Sequence, residues 1–347
     1  MAMAEARAPG KLLLTGEYAV LTGAPAVTVA VGGPAVARVA HGKVSRLLDP
    51  AGGAASNFQL VSPDGVRWDT SLPAERSALP AAVLAEILRR WPTELQARPL
   101  EIGLDTSAFI QTARGGQQKV GLGSSAALVS ALAAAVLAAC GVDPAAAELR
   151  TLCLAAHRAF QGGRGSGVDV LTAIHGGVLI CTPAGDDLQA EPLRWPDSLH
   201  LVVAWTGHSA STPALIERFD AFQARQPAAF EQHARRLGGA AAAAAQAWRS
   251  GGAAAVLAAV AGYADVLRDA DAAGRIGIWT AEHAAYARLA AAAGAVYKSS
   301  GAGGGDLGYA LTDSAEVAEK FRAAVKVAGG ITLDLEPGQP GLRVRAT

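Results

Sequence analysis

The stretch Lys119–Ala127, KVGLGSSAA, constrains this chain more than any other. It runs straight into an almost unbroken apolar segment from Leu128 to Cys140. Gly121 and Gly123 allow a tight turn with backbone N–H groups aimed inward. Ser124 suits the N-cap of the alanine-rich helix behind it. A helix starting there adds its positive end, and turn plus helix make a ready site for a phosphate. Ser124 and Ser125 offer hydroxyls to a phosphate oxygen or Mg²⁺, and Lys119 adds a full positive charge. Taken alone, the motif also reads as a plain turn and helix cap.

Two familiar phosphate binders fit poorly. No GxxxxGK[ST] loop occurs in the chain. The match Gly121, Gly123, Ala126 to GxGxxA lacks the hydrophobic strand that a dinucleotide loop follows, because RGGQQK precedes it. An oxidoreductase is therefore the outside reading.

Charge excludes other classes. Thirty basic residues balance thirty acidic ones, so nothing draws the whole chain to nucleic acid or to a membrane. Any anion site must be a local cluster. The 347 residues are 51% hydrophobic and 17% charged, a globular profile with room for two α+β halves. Cys140, Cys153 and Cys181 sit in apolar contexts without disulfide patterning, which predicts inert thiols in a reducing compartment. The seven histidines show no zinc-site spacing. MAMAEARAPG has no signal-peptide apolar core, and Ser124–Cys140 is short for a membrane span. The expectation is a cytoplasmic protein, monomer or homodimer, with small-molecule ligands.

Strands are predicted at Lys11–Thr15, Ala26–Val31, Ala35–Val39, Leu100–Leu104 and Gly177–Thr182, with Gly32-Gly33-Pro34 separating the second and third. Helices are predicted at Leu79–Arg90 and Pro144–Phe160, the latter with Asp143 as N-cap and Pro144 at the first helical position. Arg114–Lys119 reads as a loop. A composition break at Pro183–Pro196 suggests a division near residue 190, giving halves 1–190 and 191–347. The second half opens with a strand at Leu199–Trp205. Alanine-rich helices follow at Pro213–Arg225, Ala228–Ser250, Ala253–Ala270 and Thr280–Ala293. It closes with a loop at Lys298–Gly305, a strand at Tyr309–Thr312, a helix at Ser314–Val327 and a strand at Gly330–Asp334.

Two further small-residue stretches accompany KVGLGSSAA. Ala8–Gly23, APGKLLLTGEYAVLTG, puts Lys11 at the mouth of a strand and Glu17-Tyr18 after a glycine. Lys298–Gly308, KSSGAGGGDLG, can wrap a ligand closely because nothing large obstructs it. Between them Ser166-Gly-Val-Asp169 sets a carboxylate on a glycine-flanked turn.

These three motifs, in this order across nearly the whole chain, resemble the GHMP kinases, small-molecule kinases of sugars, homoserine and mevalonate. The resemblance implies an α+β fold. Its N-terminal half is ribosomal-protein-like, with a left-handed βαβ crossover, and its C-terminal half is ferredoxin-like. ATP sits in the cleft between them. By the same resemblance Lys119, Gly121, Leu122, Gly123, Ser124, Ser125 and Ala126 hold the ATP phosphates, with Ser125 the Mg²⁺ ligand. Lys119 neutralises the transferring phosphoryl group, and Asp169 falls at the catalytic aspartate, where it is expected to orient Lys11. Lys11, Glu17, Tyr18, Ser166 and Gly167 face the acceptor, together with the loop Ser300, Gly301, Ala302, Gly303. Arg164 and Lys298 are additional cations, each read as a solvated surface charge or an anion ligand. By the same resemblance, Tyr18, Lys119, Asp306 and the segment Trp205–Thr212 (WTGHSAST) imply 5-phosphomevalonate as acceptor, with mevalonate or another alcohol as the alternative. A non-catalytic sensor on the same fold is a third reading, which Lys11, Lys119, Ser125 and Asp169 argue against.

Overall fold

Strand β1 (Met3–Thr15) changes character half-way along. Ala4, Ala6 and Ala8 point inward, while Glu5 and Arg7 face solvent and pair with each other. A register shift at Ala8/Gly10 follows, next to Pro9, which has no N–H to give a ladder. Beyond it Leu12, Leu13 and Leu14 are all buried, because both faces of the strand are covered. That double burial is why KLLLT reads as a continuous apolar run.

The protein, here a computed structural model, is described over residues 3–49, 55–61, 65–69, 72–113, 116–163, 165–185 and 187–346. After β1 come β2 (Ala26–His41), β3 (Arg46–Leu47), β4 (Ser56–Val61) and β5 (Gly65–Trp68). Helices α1 (Ala74–Arg90) and α2 (Pro92–Gln96) lead to β6 (Leu100–Asp105) and the hairpin β7 (Ile110–Ala113) and β8 (Gly116–Lys119). Then follow α3 (Ser124–Ala139), α4 (Ala146–Phe160), α5 (Val168–His175), β9 (Val178–Ala184) and β10 (Asp187–Leu193). The second unit holds β11 (His200–Trp205), α6 (Thr212–Arg225), α7 (Pro227–Ser250), α8 (Ala253–Gly274) and α9 (Ala281–Ala293). It continues with β12 (Val296–Ser300), β13 (Leu307–Thr312), α10 (Ala315–Val327) and β14 (Ile331–Leu333), and β15 (Arg343–Ala346) ends the chain.

Among the described residues the first sheet has nine strands, in the order β10-β9-β2-β6-β3-β4-β5, with β1 on the other edge of β2 and β15 beyond β1. The second sheet is antiparallel in the order β12-β13-β11-β14. With helices after its first and third strands, that is the ferredoxin-like order. Helix α3 packs on β1 and β2 and is buried on almost every side, as its uniformly apolar sequence requires. Among the described residues no helix is long and apolar enough to cross a membrane.

Four expectations are corrected. Ala26–Val31 and Ala35–Val39 are one strand, not two. β2 bends at Gly32-Gly33-Pro34, where it changes partner from β9 to β6 while β1 stays alongside. Arg114–Lys119 is not a loop throughout, since Gly116–Lys119 pairs with β7. Its side chains are mostly exposed, so no apolar alternation marks it as a strand. Helix α4 starts at Ala146 rather than Pro144, because Ala145 is extended and the Glu148 carboxylate accepts its N–H at 3.0 Å. Lys298–Ser300 belongs to β12, and the loop begins only at Gly301. Residue 190, at the composition break, lies in β10, and β15 pairs with β1.

Candidate active site

The three glycine-bearing stretches meet in a cavity of about 490 Å³ between the two sheets' units. Lys11, Glu17, Tyr18, Lys119, Gly121–Ser125, Ser166 and Asp169 line one side, and Ser209, Ala210, Thr212, Gly301, Ala302 and Asp306 the other.

The phosphate-type loop is anchored at both of its apolar residues. Val120 and Leu122 are buried, and Leu122 O accepts the Lys11 N–H at 2.8 Å. Gly121 and Gly123 have φ of 68° and 74°, conformations that side chains other than glycine's rarely accept. A Cβ on Gly121 would lie 2.7 Å from the Asp306 side chain, so this glycine is also where the third loop closes over the first. The residue capping α3 is Gly123, not Ser124 as expected. Its left-handed turn starts the helix without a side-chain oxygen on the first-turn N–H groups. Ser124 is therefore helical, and the unpaired N–H groups of the first turn lie at the cavity.

Lys11 threads between the loops. A Cβ on Gly123 would sit 3.1 Å from Lys11 Cγ and 3.8 Å from Asp169 Cβ, and a Cβ on Gly301 would sit 3.8 Å from Lys11 Nζ. Asp169 is the second residue of α5, with its Oδ1 accepting the Val170 N–H at 3.0 Å. Among the described residues no lysine or arginine nitrogen lies within ion-pair distance of Asp169, so the expected Lys11–Asp169 pair does not form. Its neighbour is His157, with Nδ1 3.8 Å from Oδ1. The other ring nitrogen, Nε2, lies 3.1 Å from Ser125 Oγ. Sequence reasoning missed His157. The available signal was a polar ring at helical spacing from Cys153 in a buried stripe.

The wall that carries Glu17 and Tyr18 is held from below. Tyr18 adopts a positive φ of 60° and donates its hydroxyl to Ala302 O at 2.6 Å, with its ring centroid 4.9 Å from that of Phe219. Burial pushes the phenol well up, and it stays protonated. Glu17 is buried and pairs with Lys298, whose ammonium also donates to Ser299 O at 2.6 Å. Desolvation raises the Glu17 carboxyl and lowers the Lys298 ammonium, while their mutual attraction opposes both shifts. Lys298 is thus neither a surface charge nor an anion ligand. It is fully buried, 5.6 and 5.7 Å from the Tyr263 and Tyr309 ring centres. Arg164 lies outside the described residues.

Four site candidates do not line the cavity. Ser300 Oγ accepts from Leu13 N at 3.1 Å and donates to Leu13 O at 2.9 Å, which stitches β12 to β1. Ala126 is buried in α3, and Gly167 caps α5. A Cβ on Gly303 would meet Ile278 at 2.4 Å. Two residues outside the expected set shape the third loop. Asp306, at φ 52°, takes Thr206 N–H on its carbonyl at 2.9 Å, and burial raises its carboxyl. His283 holds Gly305 O at 3.0 Å with Nε2–H and accepts from the Tyr297 hydroxyl at 2.9 Å, its pKa pushed by burial to about 4.

The donor chemistry suits Mg²⁺ brought in on a nucleotide. Ser125 and Asp169 offer one hydroxyl and one carboxylate, and Mg²⁺ in phosphoryl-transfer sites takes only one or two protein ligands. The three thiols are free, and burial pushes Cys140 to about 11 and Cys153 and Cys181 to about 12.

Comparison with known proteins bears on this arrangement. A phosphomevalonate kinase from a Streptomyces species is 30% identical to the chain over 96% of its length and 97% of its own. The chain belongs to the GHMP kinase family. The family's N-terminal domain profile, "GHMP kinases N terminal domain", matches residues 79–177, from α1 to the turn after α5. A mevalonate kinase from Pyrococcus horikoshii is 27% identical over 98% of this GHMP kinase and 97% of that enzyme. Among solved structures, Streptococcus pneumoniae phosphomevalonate kinase in complex with phosphomevalonate and AMPPNP superposes with a TM-score of 0.78 at 19% identity. It covers 97% of this chain and 99% of that one. That likeness establishes the shared fold. As a GHMP kinase the protein is an ATP-using phosphotransferase.

Proposed function

We propose that this GHMP kinase acts in the mevalonate pathway and transfers the γ-phosphoryl group of ATP to 5-phosphomevalonate. The products are 5-diphosphomevalonate and ADP. The observation that carries the reading is the position of Lys11, one cation between the phosphate-type loop and the Gly301–Ala302 wall. In-line transfer between two anions needs such a charge at their junction. Lys119, exposed at the cavity mouth, adds a second. The Streptomyces relative supports phosphomevalonate as acceptor, as does the Streptococcus complex holding phosphomevalonate and AMPPNP. The Pyrococcus relative keeps mevalonate as the second reading.

In this reading the N–H groups of Gly121–Ser125 hold the nucleotide phosphates and Ser125 meets the metal. Tyr18, Ser166, Gly301 and Ala302 shape the acceptor side. Mg²⁺ on the nucleotide supplies charge neutralisation of its β- and γ-phosphates. ADP release by the purified protein is expected with phosphomevalonate, and little with mevalonate, homoserine or galactose. Equal or faster turnover of mevalonate overturns the acceptor and leaves the family untouched.

A phosphate acceptor also sets the role of Asp169. Its second ionisation is near pKa 6, so at pH 7 the attacking oxygen is mostly anionic and needs no base. Asp169→Asn is expected to keep measurable activity on phosphomevalonate, with less than about a 10²-fold fall in kcat. Side-by-side pH profiles check it. Near-total loss, together with disappearance of an ionisation that limits wild-type kcat, would mark Asp169 as a base.

A further inference from the structure

We propose that His157 is a positioning residue that fixes the direction of the Ser125 hydroxyl, so that Ser125 faces the nucleotide as an acceptor only. The proposal rests on reading the cavity as the Mg²⁺–ATP site. Three helices converge on one ring. α4 carries His157, α3 carries Ser125 and α5 carries Asp169. The ring is 2% exposed and lies in a buried stripe with Leu152, Cys153 and Ala156. Its two nitrogens nevertheless face polar atoms on different helices, Ser125 Oγ at 3.1 Å and Asp169 Oδ1 at 3.8 Å.

The protons can be placed by counting. A carboxylate accepts only, so the ring nitrogen turned toward Asp169 is the one favoured to carry hydrogen. In the neutral ring Nε2 then has a lone pair and no proton. A short contact to Ser125 Oγ therefore uses the serine's single O–H as donor. With that proton spent, the oxygen presents lone pairs to the cavity. Lone pairs suit a divalent cation and repel a phosphate oxygen. Without His157 the hydroxyl is free to turn and donate to a phosphate, and its lone pairs are no longer held toward the metal. The ring also makes Ser125 and Asp169 share one reference point, so that metal ligand and acceptor-side carboxylate keep their spacing.

The test measures nucleotide binding with and without metal. His157→Phe keeps the ring and its packing against Phe160, whose centroid lies 6.4 Å away, and removes both nitrogens. By calorimetry its affinity for ATP in EDTA is expected to stay within about 2-fold of wild type. Its affinity for Mg²⁺–ATP is expected to weaken about 10-fold, the scale of one hydrogen bond to an ionic site. His157→Gln, which can return one acceptor, is expected to regain most of the loss. In a Ser125→Ala background His157→Phe is expected to add less than about 2-fold, because both changes remove the same interaction. Equal weakening of both ATP forms, or of neither, overturns the proposal while leaving the nucleotide site in place. If Ser125→Ala itself leaves Mg²⁺–ATP binding unchanged, the reading of Ser125 fails first, and the proposal with it. Should the phenylalanine variant not fold, His157→Leu carries the same comparison.

Discussion

Lys11→Met is expected to lower kcat/KM by about 10²–10³-fold, the scale of losing one preorganised transition-state charge. Methionine keeps the unbranched stem that packs against Gly123 and deletes the ammonium near Gly301. Stability should hold, because among the described residues Lys11 makes no ion pair whose loss would strand a charge. The decisive measurement is steady-state kinetics beside a melting curve. A variant that melts like wild type and turns over within a few-fold of it would move the phosphoryl path away from Lys11. Lys11→Arg is not expected to rescue, since the wider guanidinium has to pass between two glycine-bearing loops.

Lys298→Met is expected to act on stability, with a loss of about 3–5 kcal/mol. The ammonium is the buried partner of Glu17, and among the described residues Glu17 Oε2 accepts no hydrogen bond. Removing the cation leaves a carboxylate sealed between β1 and the second unit. Spread over 347 residues at about 2 cal/mol/K each, that loss lowers Tm by roughly 4–7 °C. The pH dependence has a definite sign. Burial already raises Glu17 above its ordinary value, and loss of Lys298 raises it further. A carboxyl raised in the folded state is best tolerated below its unfolded pKa and costs stability as pH rises. The deficit of Lys298→Met should therefore shrink on acidification toward the ordinary carboxyl range. Glu17→Gln combined with Lys298→Met should recover most of the loss, because no charge remains buried. A single variant as stable as wild type at pH 8 would show that the pair carries no such weight.

Local chemistry explains what was legible in the sequence. Gly121 and Gly123 ahead of an apolar helix announce a phosphate-type turn, because only that backbone needs glycines there. KLLLT reads as a doubly covered strand, and the alanine-rich segments read as helices, for reasons contained within each segment. Lys11, Lys119, Ser125 and Asp169 could be named because each lies in or beside a motif of small residues. The helix cap slipped by one residue, since a left-handed glycine and a serine compete for the same position and only the turn's path chooses between them.

Distant pairing decided the rest. Whether Gly32-Gly33-Pro34 breaks β2 depended on β1, which spans the bend from the other side. Lys298 looks like any lysine beside a glycine loop until Glu17, 281 positions away, meets it in a closed interior. Ser300 resembles a ligand-binding serine until Leu13 takes both of its hydrogen bonds. His157 carried no motif, and its place between Ser125 and Asp169 exists only because three helices converge. The sequence by itself determined the turn chemistry, the helix and strand types and the residues able to hold an anion, since these follow from backbone freedom and local patterning. Tertiary structure alone decided which charges are buried and paired and which remain at the cavity, because burial and partnership belong to segments brought together from across the chain.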